Sequence, residues 1–108
     1  MTHPVYFTGE AEKDLMEIYQ YIGASGRPMT AKSLLKGIRK ARDRLSEMPE
    51  RGRTVPELHR IGISDYREIL FKIYRIIYEI EPSHRVIIHC ILDGRRDIQS
   101  VLARRMLR

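Results

Sequence analysis

A chain of 108 residues with 43% apolar and 31% charged residues is composed for a single globular domain, residues 1–108, with one modest core; two domains and a disordered chain are excluded. The net charge of +6 favours an anionic partner, either nucleic acid or an acidic protein segment. No apolar run approaches the roughly 18 residues that a membrane span needs, and the N-terminus begins neither a signal nor a transit peptide, so a cytoplasmic location is expected.

Pro4 to Thr8, with Val5, Tyr6 and Phe7, is β-prone and predicts a short first strand that Gly9 breaks. From Ala11 onward Ala11, Leu15, Ile18 and Ile22 recur at helical spacing while Glu12, Lys13, Glu17 and Gln20 fall elsewhere, which predicts a first helix. Gly23 to Gly26, followed by Pro28, supplies a stop and a turn. A second helix begins near Pro28 or at Thr30, whose hydroxyl is a suitable cap. It carries Ala31, Leu34, Leu35, Ile38, Ala41, Leu45 and Met48 on one face and Lys32, Lys36, Arg39, Lys40 and Asp43 on the other. Two such helices joined by a few residues make an antiparallel hairpin whose apolar stripes need a surface to cover them.

Pro49 to Pro56 is punctuated by two prolines and Gly52 and reads as a charged surface loop; Leu58 to Ser64 has no clear pattern. Tyr66 to Phe71 predicts a strand, linked through Lys72-Ile73 on spacing alone to a second one. In that second strand Tyr74, Ile76, Tyr78 and Ile80 share one face, with Arg75, Ile77 and Glu79 on the other. After the turn Glu81-Pro82-Ser83-His84, strict alternation puts Val86, Ile88, Cys90 and Leu92 on one face and Arg85, Ile87, His89 and Ile91 on the other. Asp97 to Leu107 has weaker helical spacing at Ile98, Val101, Leu102 and Met106, which suits a short terminal helix or a frayed tail. The expected fold is α+β: an N-terminal strand, then a helix hairpin packed on one face of a mostly antiparallel sheet, then a C-terminal helix or tail.

The chemistry is narrowed by elimination. Cys90 is the only cysteine and, inside an apolar strand, reads as a buried inert thiol. His3, His59, His84 and His89 match no metal-ligand spacing and no phosphate-binding glycine loop is present, so neither metal nor cofactor is expected. Cations dominate instead: Arg67, Arg75, Arg95 and Arg96 lie on or just beyond the strands, and Arg95, Arg96, Arg104, Arg105 and Arg108 face only Asp97 in the C-terminal stretch. Ribonuclease chemistry through a 2′-hydroxyl needs a base, an acid and a cation for the developing phosphorane charge. His89 is the one imidazole in this part of the chain able to serve as acid or base.

The run Pro49-Glu-Arg-Gly-Arg-Thr-Val-Pro-Glu57, then Arg67-Glu68, Tyr74-Arg-Ile-Ile-Tyr78 and Asp93-Gly-Arg-Arg-Asp97, resembles the RelE/ParE superfamily of type II toxin–antitoxin toxins. The resemblance spans nearly the whole chain and implies one of two activities. RelE-like members cut messenger RNA on the ribosome, which would assign Arg75 and Arg96 catalytic roles with His89 as acid or base. ParE-like members poison DNA gyrase without that set, which would make Arg67, Arg75, Arg95 and Arg96 target-binding residues. Leu102 stands where RelE-like enzymes place a C-terminal tyrosine, and this departure favours the ParE-like branch. The resemblance further implies a cognate, ParD-like antitoxin encoded beside the toxin and a hetero-oligomer with it. A toxin that has lost its toxicity and survives as an antitoxin-binding module is the remaining alternative.

Overall fold

The computed structural model describes residues 2–106, without the Met106 side chain; the expected place of Met106 on an apolar stripe and of Arg108 in the basic tail lie outside the described residues. The elements run β1 (Val5–Phe7), α1 (Gly9–Ala24), α2 (Pro28–Glu47), a single 3-10 turn (Pro49–Arg51), β2 (Arg53–Thr54), α3 (Pro56–His59), β3 (Tyr66–Phe71), β4 (Tyr74–Ile80), β5 (Val86–Asp93) and α4 (Ile98–Met106). One five-stranded sheet has the order β1-β5-β4-β3-β2, with β1 parallel to β5 and every other pair antiparallel. The α+β class and the helix hairpin are as expected from the sequence.

Thr8 makes the corner between β1 and α1. Its amide extends the β1–β5 ladder by donating to Ile88 O at 3.0 Å, and its hydroxyl accepts the Ala11 amide at 3.1 Å. A capping side chain at this corner starts the helix at Gly9, two residues before its apolar periodicity becomes visible. For α2 the expected hydroxyl cap is not used: Pro28 occupies the first turn, where its missing amide costs nothing, and Thr30 lies inside the helix. Met48 is the residue that ends α2 and is 64% exposed, so the apolar face closes at Leu45 rather than at Met48.

Both faces of the sheet are covered, whereas the sequence predicts one. Ala11, Leu34, Ile38 and Leu45 of the hairpin pack against Ile76, Tyr78, Val86, Ile88 and Ile91. On the opposite face Val55, Leu58 of α3 and Ile98, Val101 and Leu102 of α4 close over Ile77, Cys90 and Leu92. The cause is a β-bulge. Ile77 pairs with Cys90 but its neighbour Tyr78 pairs with Ile88, so His89 has no partner across the ladder. The extra residue inverts the alternation, sending Cys90 and Leu92 away from the hairpin and Ile91 toward it, opposite to the strict alternation expected from the sequence.

The segment expected to be a loop between Pro49 and Pro56 is instead tied into the sheet. β2 pairs Arg53 with Glu68 and Thr54 with Arg67, and the buried Tyr78 hydroxyl donates to Pro49 O at 2.6 Å while accepting the Gly52 amide at 3.0 Å. The Lys72-Ile73 link is the tight hairpin read from spacing, with Phe71 paired to Tyr74 and Lys72 at φ +54°. Glycine is required at position 52, since a Cβ there would lie 2.5 Å from the Tyr78 hydroxyl and 2.7 Å from the Glu68 carbonyl. Gly52→Ala is therefore expected to destabilise the protein by roughly 1–3 kcal/mol, as forced overpacking of a filled site does, measured by urea denaturation.

Candidate functional site

Arg75 sits at the centre of a charge network on the sheet face away from the hairpin. Its Nε donates to Glu68 Oε1 at 2.8 Å, and its two terminal nitrogens donate to Glu57 Oε2 and Oε1 at 2.7 Å each. Arg53 Nε donates to the other Glu68 oxygen at 2.7 Å. Each member comes from a different element: Arg53 from β2, Glu57 from α3, Glu68 from β3 and Arg75 from β4. Glu68 is 1% exposed and Arg75 9%. The Arg75 guanidinium holds the Glu57 carboxyl down at about 2, against its ordinary 4.5, and the Glu57 carboxylate in return raises Arg75. Two carboxylates and two guanidiniums cancel, so this part of the sheet presents a neutral, satisfied cluster.

The other expected site residues lie apart from it. Arg67 is half-buried and donates to Gly52 O at 2.9 Å and Glu50 O at 3.3 Å, strapping the 3-10 turn to β3. His89, on the bulge, donates from Nε2 to Glu79 Oε1 at 2.6 Å and meets the Tyr66 ring edge-on at 5.5 Å. Glu79 and Arg75 share a face four residues apart on β4, about 13 Å by the rise of a strand. Arg95 is exposed and donates to Asp93, with Nη2 to Oδ2 at 2.7 Å, which lowers the Asp93 carboxyl. Arg96 is exposed and its side chain forms no hydrogen bond or ion pair among the described residues. It lines a cleft of about 420 Å³ with Glu10, Lys13, Asp14, Glu17, Arg104 and Arg105. No contact joins Arg75, Arg96 and His89.

Cys90 is fully buried and desolvation pushes its thiol up to about 11, which removes it as a nucleophile. Leu102 is 1% exposed inside the second core, so its place in the chain is taken up by packing. Sequence reasoning missed three carboxylates. Glu57 and Glu68 looked like solvated charges beside prolines and arginines. Asp14 sits at the i+3 position of the Ala11 stripe, a signal of a buried acid, and is 6% exposed. It accepts the Ile91 amide at 3.0 Å and both terminal nitrogens of Arg105 at 2.6 and 2.8 Å, clasping α4 to α1 across the β5 edge.

Residues 5–98, nearly all of this architecture, match the family model described as the ParE toxin of the type II toxin–antitoxin system parDE. The chain belongs to this family. No curated protein sequence matches the ParE-family chain. Among solved structures it is similar to a chain of the chromosomal ParDE system from P. aeruginosa, at TM-score 0.68 and 16% identity over 83% of this chain and 94% of that one. It is also similar to a chain of the RelBE2 toxin–antitoxin complex from Mycobacterium tuberculosis, at TM-score 0.61 and 22% identity over 86% of this chain and 92% of that one. At these identities the likeness concerns the fold.

The network gives two expectations. Because the Glu57 carboxyl is depressed in the folded state, it contributes stability that is present above its ordinary value of 4.5 and lost as pH falls from there toward about 2. In urea titrations across that window Glu57→Gln should flatten the loss seen in the parent. Arg75→Ala leaves buried Glu68 with only its Arg53 contact and should cost roughly 3–5 kcal/mol by the same measurement, as breaking a buried pair does.

Proposed function

We propose that this ParE-family toxin is a non-enzymatic poison of DNA gyrase that acts in the cytoplasm and is silenced by a cognate, ParD-like antitoxin. One observation carries the reading: Arg75, the cation a nuclease mechanism would need, is spent inside a neutral cluster with Glu57 and Glu68. His89 is bonded to Glu79 and Leu102 is packed in a core, so acid, base and cation do not converge on a phosphodiester. The cations left to a macromolecular target are Arg95 and Arg96. The Gly94 amide donates to Ile73 O at 2.7 Å, which fixes their loop beside the hairpin tip carrying exposed Lys72 and Ile73. Arg67 and Arg75 act behind that tip as supports of β2, β3 and α3 rather than as contacts.

The antitoxin reading draws support from a groove of about 370 Å³ between α1 and α2, lined by Phe7, Leu15, Met16, Tyr19 and Leu35 with Glu12, Arg39 and Arg42 at its rim. Met16 is 55% exposed there. Such a groove accepts apolar side chains of a segment that is disordered until it binds. The two similar structures come from systems whose descriptions name toxin–antitoxin pairs.

Purified protein is expected to inhibit gyrase supercoiling and raise the level of cleavage complexes, and induced cells to show DNA-damage signalling. Arg95→Ala with Arg96→Ala should abolish inhibition while leaving the urea midpoint unchanged, since both side chains are exposed. Codon-specific cuts in translated message, with gyrase unaffected, would replace this reading by the RelE-like one. Absence of any growth defect would favour a non-toxic binding module.

A further inference from the structure

The outer edge of β3 is only half covered. β2 pairs with Arg67 and Glu68 and stops, and no strand among the described residues pairs with the outer side of Ile69, Leu70 and Phe71. Ile69 and Phe71 turn toward the helix hairpin, while Leu70 on the other face is 62% exposed. Beside this edge a cavity of about 140 Å³ is lined by Lys40 and Arg44 of α2, Arg51 of the 3-10 turn, and Ile69 to Phe71. No acidic residue lines it, and Lys40, Arg44 and Arg51 form no side-chain hydrogen bond or ion pair among the described residues. By contrast Arg42, Arg53, Arg75, Arg85, Arg95 and Arg105 all have carboxylate partners.

We propose that the free edge of β3, together with Lys40, Arg44 and Arg51, is a docking site for an extended acidic segment of the neutralising partner, which adds to the sheet as a further strand. The inference deepens the antitoxin reading above and rests on it for the owner of the segment. Unpaired backbone groups at a sheet edge accept an incoming strand whatever its sequence, and alternate pockets select its side chains. Here the selection follows from the period of two. Side chains of the incoming strand on the α2 side meet three cations, and those on the other side lie over Leu70. The matching segment therefore has Asp or Glu at alternate positions with apolar residues between them. A second copy of this chain does not fit, because pairing the same edge of two molecules would set Lys40, Arg44 and Arg51 of both against each other.

The test titrates the purified full chain with a short synthetic peptide alternating glutamate and valine, reading affinity by fluorescence anisotropy and location by amide hydrogen exchange. The expected result is slowed exchange at Ile69 to Phe71, with binding that weakens as salt is raised. Arg44→Glu alone, and Lys40→Glu with Arg44→Glu and Arg51→Glu, should weaken binding, the triple variant by about tenfold or more, with unchanged thermal melting as the control for folding. A peptide with lysine in place of glutamate should not bind. Equal binding by that peptide, unchanged affinity in the triple variant, or protection confined to another edge would overturn the proposal. So would a DNA duplex that protects the same amides when the acidic peptide does not. If the chain neither arrests growth nor affects gyrase, the toxin reading falls, and protection of β3 by the acidic peptide still decides the docking site.

Discussion

One inserted residue governs how this small domain uses its sheet. The bulge at His89 makes β5 apolar toward the hairpin up to Ile88 and again at Ile91, and apolar toward α4 at Cys90 and Leu92. A regular strand would have placed Cys90 and Leu92 under α1 and left Ile77 on an open face. With the bulge, α4 and α3 acquire an apolar floor, and a 108-residue chain gains a second core that its surface-to-volume ratio would otherwise make hard to support. The same irregularity serves the strand's outer edge. β1 pairs only as far as Ile88, and past it Thr8 and Asp14 meet the exposed backbone, the hydroxyl donating to His89 O and the carboxylate accepting the Ile91 amide. Arg105 then closes over Asp14, so the helix covering the second face is fastened to the helix covering the first.

Electrostatics on the second face follow a related logic. Burying Glu68 alone would be prohibitive, and burying Arg75 alone nearly so; together with Glu57 and Arg53 they form a set in which each charged atom meets an opposite one. The gain in net stability over an apolar replacement need not be large. What the set supplies is position: a two-residue strand and a four-residue helix have little packing of their own, and a forked guanidinium bonded to both fixes where they sit. Tyr78 does the same from the hairpin side by holding Pro49 and Gly52.

Periodicity made most of the fold legible. The stripes of α1 and α2, the alternation in β4 and the Lys72-Ile73 turn are local patterns, and local patterns are what a sequence displays directly. The bulge is not local, since a strand that alternates perfectly and one that skips a residue at His89 have the same letters; only the partner strand and the waiting apolar face of α4 decide between them. β2 was hidden for a similar reason: two residues between prolines carry no strand signal until Glu68 and Arg67 lie alongside. In the candidate site, the arginines were visible because cations cluster in the sequence, while their occupancy was not. Arg75 and Arg96 look alike as letters, yet one is held by two carboxylates and the other by none among the described residues.

That distinction turns a net charge into a map. A total of +6 says only that an anion is favoured. Once the paired arginines are set aside, the unpaired cations with a known setting fall in separate places: Lys40, Arg44 and Arg51 at the open edge of β3, and Arg96 in the cleft between α1 and α4. β3 stands two strands away from β5, whose end carries the Arg96 loop, so the two patches are divided by the width of the sheet's centre. A partner that extends the sheet at β3 need not cover Arg95 and Arg96 directly. To silence them it must also reach across the hairpin, and the apolar groove between α1 and α2 lies on the hairpin between those patches' elements. Neutralisation by a single segment then requires a long wrap rather than a compact plug, which is the geometry that a chain disordered when free is suited to adopt.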